Sequence, residues 1–145
     1  MLAILDTNVW LSGFVGLRDQ KTAPAEILVR WRDDHFVAGI SEPIMREIAR
    51  ALAKPYFQSR LTLPERKAAL AELERRAQFS ASLPSIVGAA THKEDDLIIA
   101  TAVALNAECI VTRDVQLLRL GSFRAIRILS PLGFLEHLER ELANP

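Results

Sequence analysis

The stretch LAILDTN, residues 2–8, decides the fold of this chain. Residues 2–5 are an apolar run of the length expected for a short buried strand, and the polar sequence Asp6-Thr7-Asn8 follows it directly. A helical pattern then covers residues 7–15. Open α/β sheets hold their ligands at the carboxyl ends of their strands. The position of Asp6 therefore predicts a functional carboxylate, either a metal ligand or a nucleophile.

The remaining sequence alternates between strand and helix patterns. Further strands are predicted over residues 35–40, 84–87, 109–112 and 125–129. Further helices are predicted over residues 24–32, 42–52, 62–79 and 95–105, and after Ser130-Pro131. This order predicts an α/β three-layer sandwich, with a central parallel sheet of about five strands and helices on both faces. Because no repeat or linker interrupts the pattern, we expect a single domain over residues 1–145.

Composition sets only broad limits on function. The chain has 145 residues, of which 50% are hydrophobic and 25% charged, as in an ordinary globular domain. Its 18 basic residues balance its 18 acidic residues, so net charge predicts neither nucleic-acid nor membrane binding. A polyanionic substrate would need a local basic rim or a cation. The single cysteine, Cys109, excludes an internal disulfide, and without a secretory or membrane-spanning pattern we expect a cytoplasmic protein.

Acidic residues follow four of the predicted strands. Asp6 ends the first, Glu47 lies two turns into the helix after the second, Asp95 and Asp96 open the helix after the third, and Asp114 follows the fourth. Parallel strands bring these positions to one end of the sheet, where clustered carboxylates repel one another. A hard cation such as Mg²⁺ or Mn²⁺ would relieve the repulsion. Each acid taken alone could equally be a helix cap or a solvated side chain.

The spacing of these acids resembles that of PIN domains, metal-dependent ribonucleases that include the VapC-like toxins of bacterial toxin–antitoxin pairs. The similar segments span essentially the whole chain: ILDTNVWLSG, SEPIMREIARAL, DDLIIATAVALNAECIVTRD and the ending SPLGFLEHL. The resemblance implies a PIN fold and hydrolysis of RNA phosphodiester bonds that depends on Mg²⁺ or Mn²⁺. For a toxin it also implies a small antitoxin partner and a homodimer.

The resemblance places the family's catalytic acids at Asp6, Glu47, Asp96 and Asp114. Asp6, Asp96 and Asp114 would bind the metal directly, with Asp95 as the alternative to Asp96. Glu47 would bind it through water or act as a general base. Many relatives carry a further acid shortly after the position of Asp114, whereas residues 115–118 are VQLL here. This departure argues against a second metal.

Further polar residues are candidates for contacts with metal-bound water or substrate. Asn8 and Thr112 match secondary polar positions of the family, which the resemblance implies would hold metal-bound water or a neighbouring carboxylate. Cations beside the acids or in the loop at residues 16–21 are candidates for contacts with phosphate groups, and a solvated surface charge is the alternative for each of them. These cations are Arg113, Lys93, Arg18 and Lys21.

Three other functions are considered. An aspartyl phosphatase would place a second aspartate two residues after the first, where this chain has Asn8. A phospho-accepting receiver domain would need a lysine after the last strand, where Ser130-Pro131 lies. An RNA-binding or scaffold module without cleavage activity would be expected to lack part of the acidic set, but it remains the main alternative.

Overall fold

The computed structural model describes residues 1–84 and 93–144, and of residues 93–95 it describes the backbone alone. The strands in these ranges are β1 (Leu2–Leu5), β2 (Val37–Ile40), β3 (Gln78–Phe79), β4 (Cys109–Val111), β5 (Ser122–Phe123) and β6 (Ile126–Leu129). The helices are α1 (Thr7–Gly16), α2 (Ala23–Arg32), α3 (Glu42–Leu52), α4 (Pro55–Gln58), α5 (Leu63–Arg76), α6 (Lys93–Ala104), α7 (Val115–Leu120) and α8 (Pro131–Ala143). None of the described helices is long and apolar enough to cross a lipid bilayer.

One sheet with the strand order β3-β2-β1-β4-β6-β5 forms the centre of the molecule. Its neighbouring strands pair in parallel, except for the antiparallel pair of β5 and β6. β1 lies between β2 and β4, so the chain leaves β1 towards one edge and later returns on its other side. Such a reversal opens a crevice at the carboxyl ends of the two central strands. The sheet therefore has its expected ligand site between β1 and β4.

The α/β fold with a largely parallel central sheet is confirmed, with six strands in place of about five. The helix predicted to reach residue 79 ends at Arg76, because Gln78 and Phe79 pair with β2 as an edge strand. Two residues of β5 add a hairpin onto β6, with Arg124 at a positive φ of 54° between the two strands. The predicted strand 84–87 lies outside the described residues apart from Pro84, which is not in a strand.

Close packing of α1 against α2 sets the position of the first helix over the sheet. Trp10 meets Trp31 edge to face, with ring centroids 4.9 Å apart. A Cβ atom on Gly13 would lie 2.6 Å from Cγ of Leu28 and 2.9 Å from the carbonyl oxygen of Pro24. Only glycine allows this approach without a shift of α2. Because α1 starts immediately after β1, this packing also fixes where Asp6 projects.

Candidate active site

Two acidic residues lie side by side at the carboxyl ends of β1 and β4. The two strands are in parallel register, with Leu5 opposite Val111, and the backbone N–H of Asp6 donates to the carbonyl of Val111 at 2.9 Å. Asp6 is the N-cap residue of α1 and Asp114 is that of α7. The Asp114 carboxylate accepts a hydrogen bond from the N–H of Leu117 at 3.0 Å. The expected crevice at the centre of the sheet thus holds both acids.

Thr112 links these two acids through one buried hydroxyl group. Its Oγ1 donates to Oδ2 of Asp6 at 2.7 Å and accepts the backbone N–H of Asp114 at 3.0 Å. The side chain is fully buried, so water does not compete for these bonds. Thr112 therefore fixes the position of the Asp6 carboxylate relative to Asp114 at the start of α7. The family resemblance pointed to such a role for this position.

The surroundings of Asp6 disfavour its charged form. Burial raises the pKa of its carboxyl group, and the charge of Asp114 raises it further. The Thr112 hydroxyl, the backbone N–H of Thr7 and the Arg113 charge act in the opposite direction without cancelling the effect. Two carboxylates held together at this cost have the donor chemistry that a hard divalent cation requires. The residues present thus fit the predicted Mg²⁺ or Mn²⁺.

A cavity of about 680 Å³ opens beside the two acids. Glu47, half-buried two turns into α3, lines this cavity together with Asn8 on the first turn of α1. The wall of this cavity also contains the apolar or aromatic side chains of Leu11, Val15, Tyr56 and Phe57. Tyr56 and Phe57 could not be predicted to line the site, because they belong to the short helix α4, which no sequence pattern indicated. The structure therefore brings Asp6, Glu47, Asp114 and Asn8 to one cavity.

The fourth predicted acid is placed differently. Asp96 lies in the first turn of α6, is 9% exposed, and is outside the described lining of the cavity. The side chain of Asp95 is outside the described residues. Among the side chains that are described, no three His, Cys, Asp or Glu residues are close enough to hold a metal ion together. The assignment of either aspartate as the last metal ligand stays a prediction.

The four basic residues proposed to contact phosphate lie in different places, and only one of those with a described side chain lines the cavity. Arg113 is exposed, lines the cavity and donates a hydrogen bond to the hydroxyl of Ser12 on α1. Arg18 instead forms an ion pair with Glu65 at 2.6 Å, which already occupies its guanidinium group. Lys21 is exposed and is not part of the described cavity wall. The side chain of Lys93 lies outside the described residues.

Comparison with known proteins agrees with this architecture. The family model described as PIN domain matches residues 3–116. A chain in the crystal structure of VapBC2 from Rickettsia felis, bound to a DNA fragment from its promoter, superposes with a TM-score of 0.55. That match is 14% identical in sequence and covers 90% of this chain and 98% of the other. No curated protein matches at a significant level. The matched model covers well over half of the chain, including β1, α3, β4 and both central acids, and the chain therefore belongs to the PIN domain family.

Proposed function

We propose that this protein is a metal-dependent endoribonuclease that hydrolyses phosphodiester bonds in single-stranded RNA. The single observation that carries the proposal is the pair of Asp6 and Asp114, joined through the Thr112 hydroxyl at the crevice between the central strands. A structural role alone would explain a helix cap at either position. It would not explain why a buried carboxylate is held beside a second acid that raises its pKa.

The residues of the cavity have distinct proposed roles. Asp6 and Asp114 would hold Mg²⁺ or Mn²⁺ together with Asp96 or Asp95. Such a cation would supply Lewis-acid chemistry, activating water near neutral pH and stabilising charge on the phosphoryl group. Glu47 faces the same cavity and orients or deprotonates the attacking water.

Neutral and basic groups complete the arrangement. Thr112 keeps the Asp6 carboxylate oriented, and Asn8 provides a neutral polar group in the cavity wall. Arg113 contacts a substrate phosphate and partly offsets the acidic charge at Asp6.

Cleavage of a labelled single-stranded RNA tests the reaction. Cleavage is expected with Mn²⁺ or Mg²⁺ and is abolished by EDTA. Asp6→Asn and Asp114→Asn should each remove it. Asp33→Asn, which changes an exposed aspartate after α2, is the matched control and should leave it intact. Cleavage that persists in EDTA, or that Asp6→Asn does not reduce, would refute the metal-dependent mechanism. Metal-independent RNA binding without cleavage would instead favour the non-catalytic alternative.

We further propose that the protein is the toxin of a cytoplasmic toxin–antitoxin pair and forms a homodimer. The family membership and the fold shared with a VapBC2 chain support this role. The antitoxin would be a small protein that inserts a helix or tail into the acidic cavity. Induced expression is then expected to arrest growth, while the Asp6→Asn variant should not. Copurification from its own operon should yield a small protein whose removal restores RNA cleavage, and light scattering would measure the dimer.

A further inference from the structure

A second cavity of about 630 Å³ adjoins the active site along α3. Arg46 and Arg50 line it one helical turn apart, and Lys54 lines it just beyond the end of the same helix. These three exposed cations are called the α3 basic stripe below. Glu47, Asn8 and Leu11 line both cavities, so the two cavities share part of their walls. A ligand that follows the stripe thus lies directly beside the cavity that holds the acids.

Ion pairs occupy several arginines outside the stripe. These are Arg18, Arg30, Arg32 and Arg76, each of which pairs with a carboxylate. In the described part of the chain, no carboxylate lies within ion-pair distance of a stripe residue. Their charges are therefore available to a ligand.

Two like charges of the stripe lie one helical turn apart. Arg46 and Arg50 are four residues apart on α3 and repel each other, and Glu42, four residues before Arg46, offsets part of this repulsion. The chain has no net charge, so three unpaired cations beside an acidic cavity are a local concentration of charge.

We infer that the α3 basic stripe is the path along which the phosphate backbone of a single-stranded nucleic acid enters the active site. This inference rests on the proposed function, and it specifies how the substrate is held. Successive turns of α3 advance by about 5.4 Å, a step comparable to that between neighbouring phosphates of a strand. The cations carry the backbone towards Glu47, and they offset the repulsion that the acids exert on a polyanion. Specificity for a base sequence is not part of this role.

The salt dependence of binding tests the stripe. All proteins carry Asp6→Asn so that the RNA stays intact, and binding of a fluorescent single-stranded RNA is measured in EDTA over a KCl series. Each phosphate contact on a single strand contributes about 0.7 to the slope of log K against log salt. The triple variant Arg46→Ala, Arg50→Ala, Lys54→Ala should lower that slope by about 2 and weaken binding about 100-fold near 0.1 M salt.

A matched triple variant removes the same charge elsewhere. Lys67, Arg75 and Arg140 are exposed, form no described ion pair and line neither of the two cavities. Their replacement by alanine should leave the slope unchanged. A melting curve for each variant confirms that it is folded. A variant that carries Arg46→Lys and Arg50→Lys together with Lys54→Ala should recover most of the slope.

The possible outcomes separate the inference from the proposed function. If the slope falls equally for both triple variants, the effect is one of overall charge, and the proposed role of the stripe is wrong. An unchanged slope, with RNA cleavage intact in the protein that retains Asp6, would overturn the stripe but not the nuclease. Absence of both RNA binding and cleavage would overturn both. Binding of polyglutamate, which stands in for an acidic protein, is measured in the same way. If the stripe variant loses affinity for polyglutamate but not for RNA, the stripe binds an acidic protein partner and the inference fails.

Discussion

Replacing Thr112 by valine should uncouple the two central acids while leaving the fold in place. Valine has nearly the shape of threonine, so the substitution removes the hydroxyl with little change in packing. It deletes the 2.7 Å hydrogen bond to Asp6 and the 3.0 Å bond from the Asp114 N–H. A hydrogen bond to a charged group contributes about 1.5–3 kcal/mol, and an unsatisfied N–H costs about 1 kcal/mol or more. We expect a loss of about 3 kcal/mol in the free energy of unfolding.

Thermal unfolding and RNA cleavage together measure this effect. For 145 residues the unfolding entropy is about 0.3 kcal/mol/K, so Tm should fall by about 10 °C. Groups that orient metal ligands typically change activity by about 10–100-fold, and a loss of this size is expected with Mn²⁺ below the new Tm. Thr112→Ser keeps the hydroxyl and removes one methyl group. It should retain most of the activity and lose about 1 kcal/mol.

A double-mutant cycle with Asp6→Ala isolates the link between the two side chains. Once the Asp6 carboxylate is absent, Thr112→Val should cost only about 1 kcal/mol, which reflects the Asp114 N–H alone. The reasoning is refuted if Thr112→Val costs the same in both backgrounds. It is refuted equally if Thr112→Val keeps full activity, or if Thr112→Ser loses as much as valine does.

Four further outcomes follow from the structure. In EDTA at pH 7, Asp6→Asn should raise Tm, because the folded pKa of Asp6 lies above its unfolded value and its charge destabilises the fold. This gain in Tm should shrink as the pH falls towards 3.8, the ordinary pKa of an aspartate, because the carboxyl group is then protonated in the unfolded chain as well. A gain that does not change with pH would contradict a raised pKa for Asp6. Burial raises the pKa of Cys109 to about 11 from 9.0, so at pH 8 a thiol reagent should label the native protein at least about 100-fold more slowly than the urea-unfolded chain. Gly13→Ala should lower the free energy of unfolding by about 1–3 kcal/mol in urea titrations, against the usual gain from alanine in a helix, because its Cβ meets α2. Glu72→Gln should cost about 1–2 kcal/mol in the same assay by breaking the two-bond pair with Arg32, while exposed Glu74→Gln should cost nothing measurable.

The order and type of the main elements could be predicted from sequence because their apolar periods are clear. β1 and β4 are short, fully apolar runs, and the capping box of Thr62 and Glu65 marks the start of α5 as predicted. Two-residue strands are too short to carry a period. The sequence of β3 was therefore predicted to be the end of a helix, and its assignment as a strand rests on its pairing with β2. The final helix, in contrast, begins at Pro131 after its Ser130 cap, as the sequence indicated.

The central acids could be located from the same pattern, since a residue that follows a buried parallel strand has a known place in the sheet. Asp6 and Asp114 needed only that rule and the adjacency of β1 and β4. The surroundings of the acids were harder to predict. The apolar wall at Tyr56 and Phe57 comes from a single turn of helix, whose orientation depends on packing that no local pattern records.

The distribution of charge in the fold differs from what the net charge of the chain suggests. The 18 basic and 18 acidic residues give a net charge of zero, which by itself predicts no affinity for polyanions. In the fold, Asp6 and Asp114 gather in one cavity while Arg46 and Arg50 line the next, and Glu47 belongs to both. A metal-dependent nuclease needs this separation of charge. Its acids must lie close enough together to bind the metal ion, but they then repel the phosphate backbone of the substrate unless basic side chains lie beside them. In the proposed nuclease, the REIARALAK segment would supply these cations at a spacing of four residues. This role can be inferred only from the fold, because it depends on α3 lying beside the acids.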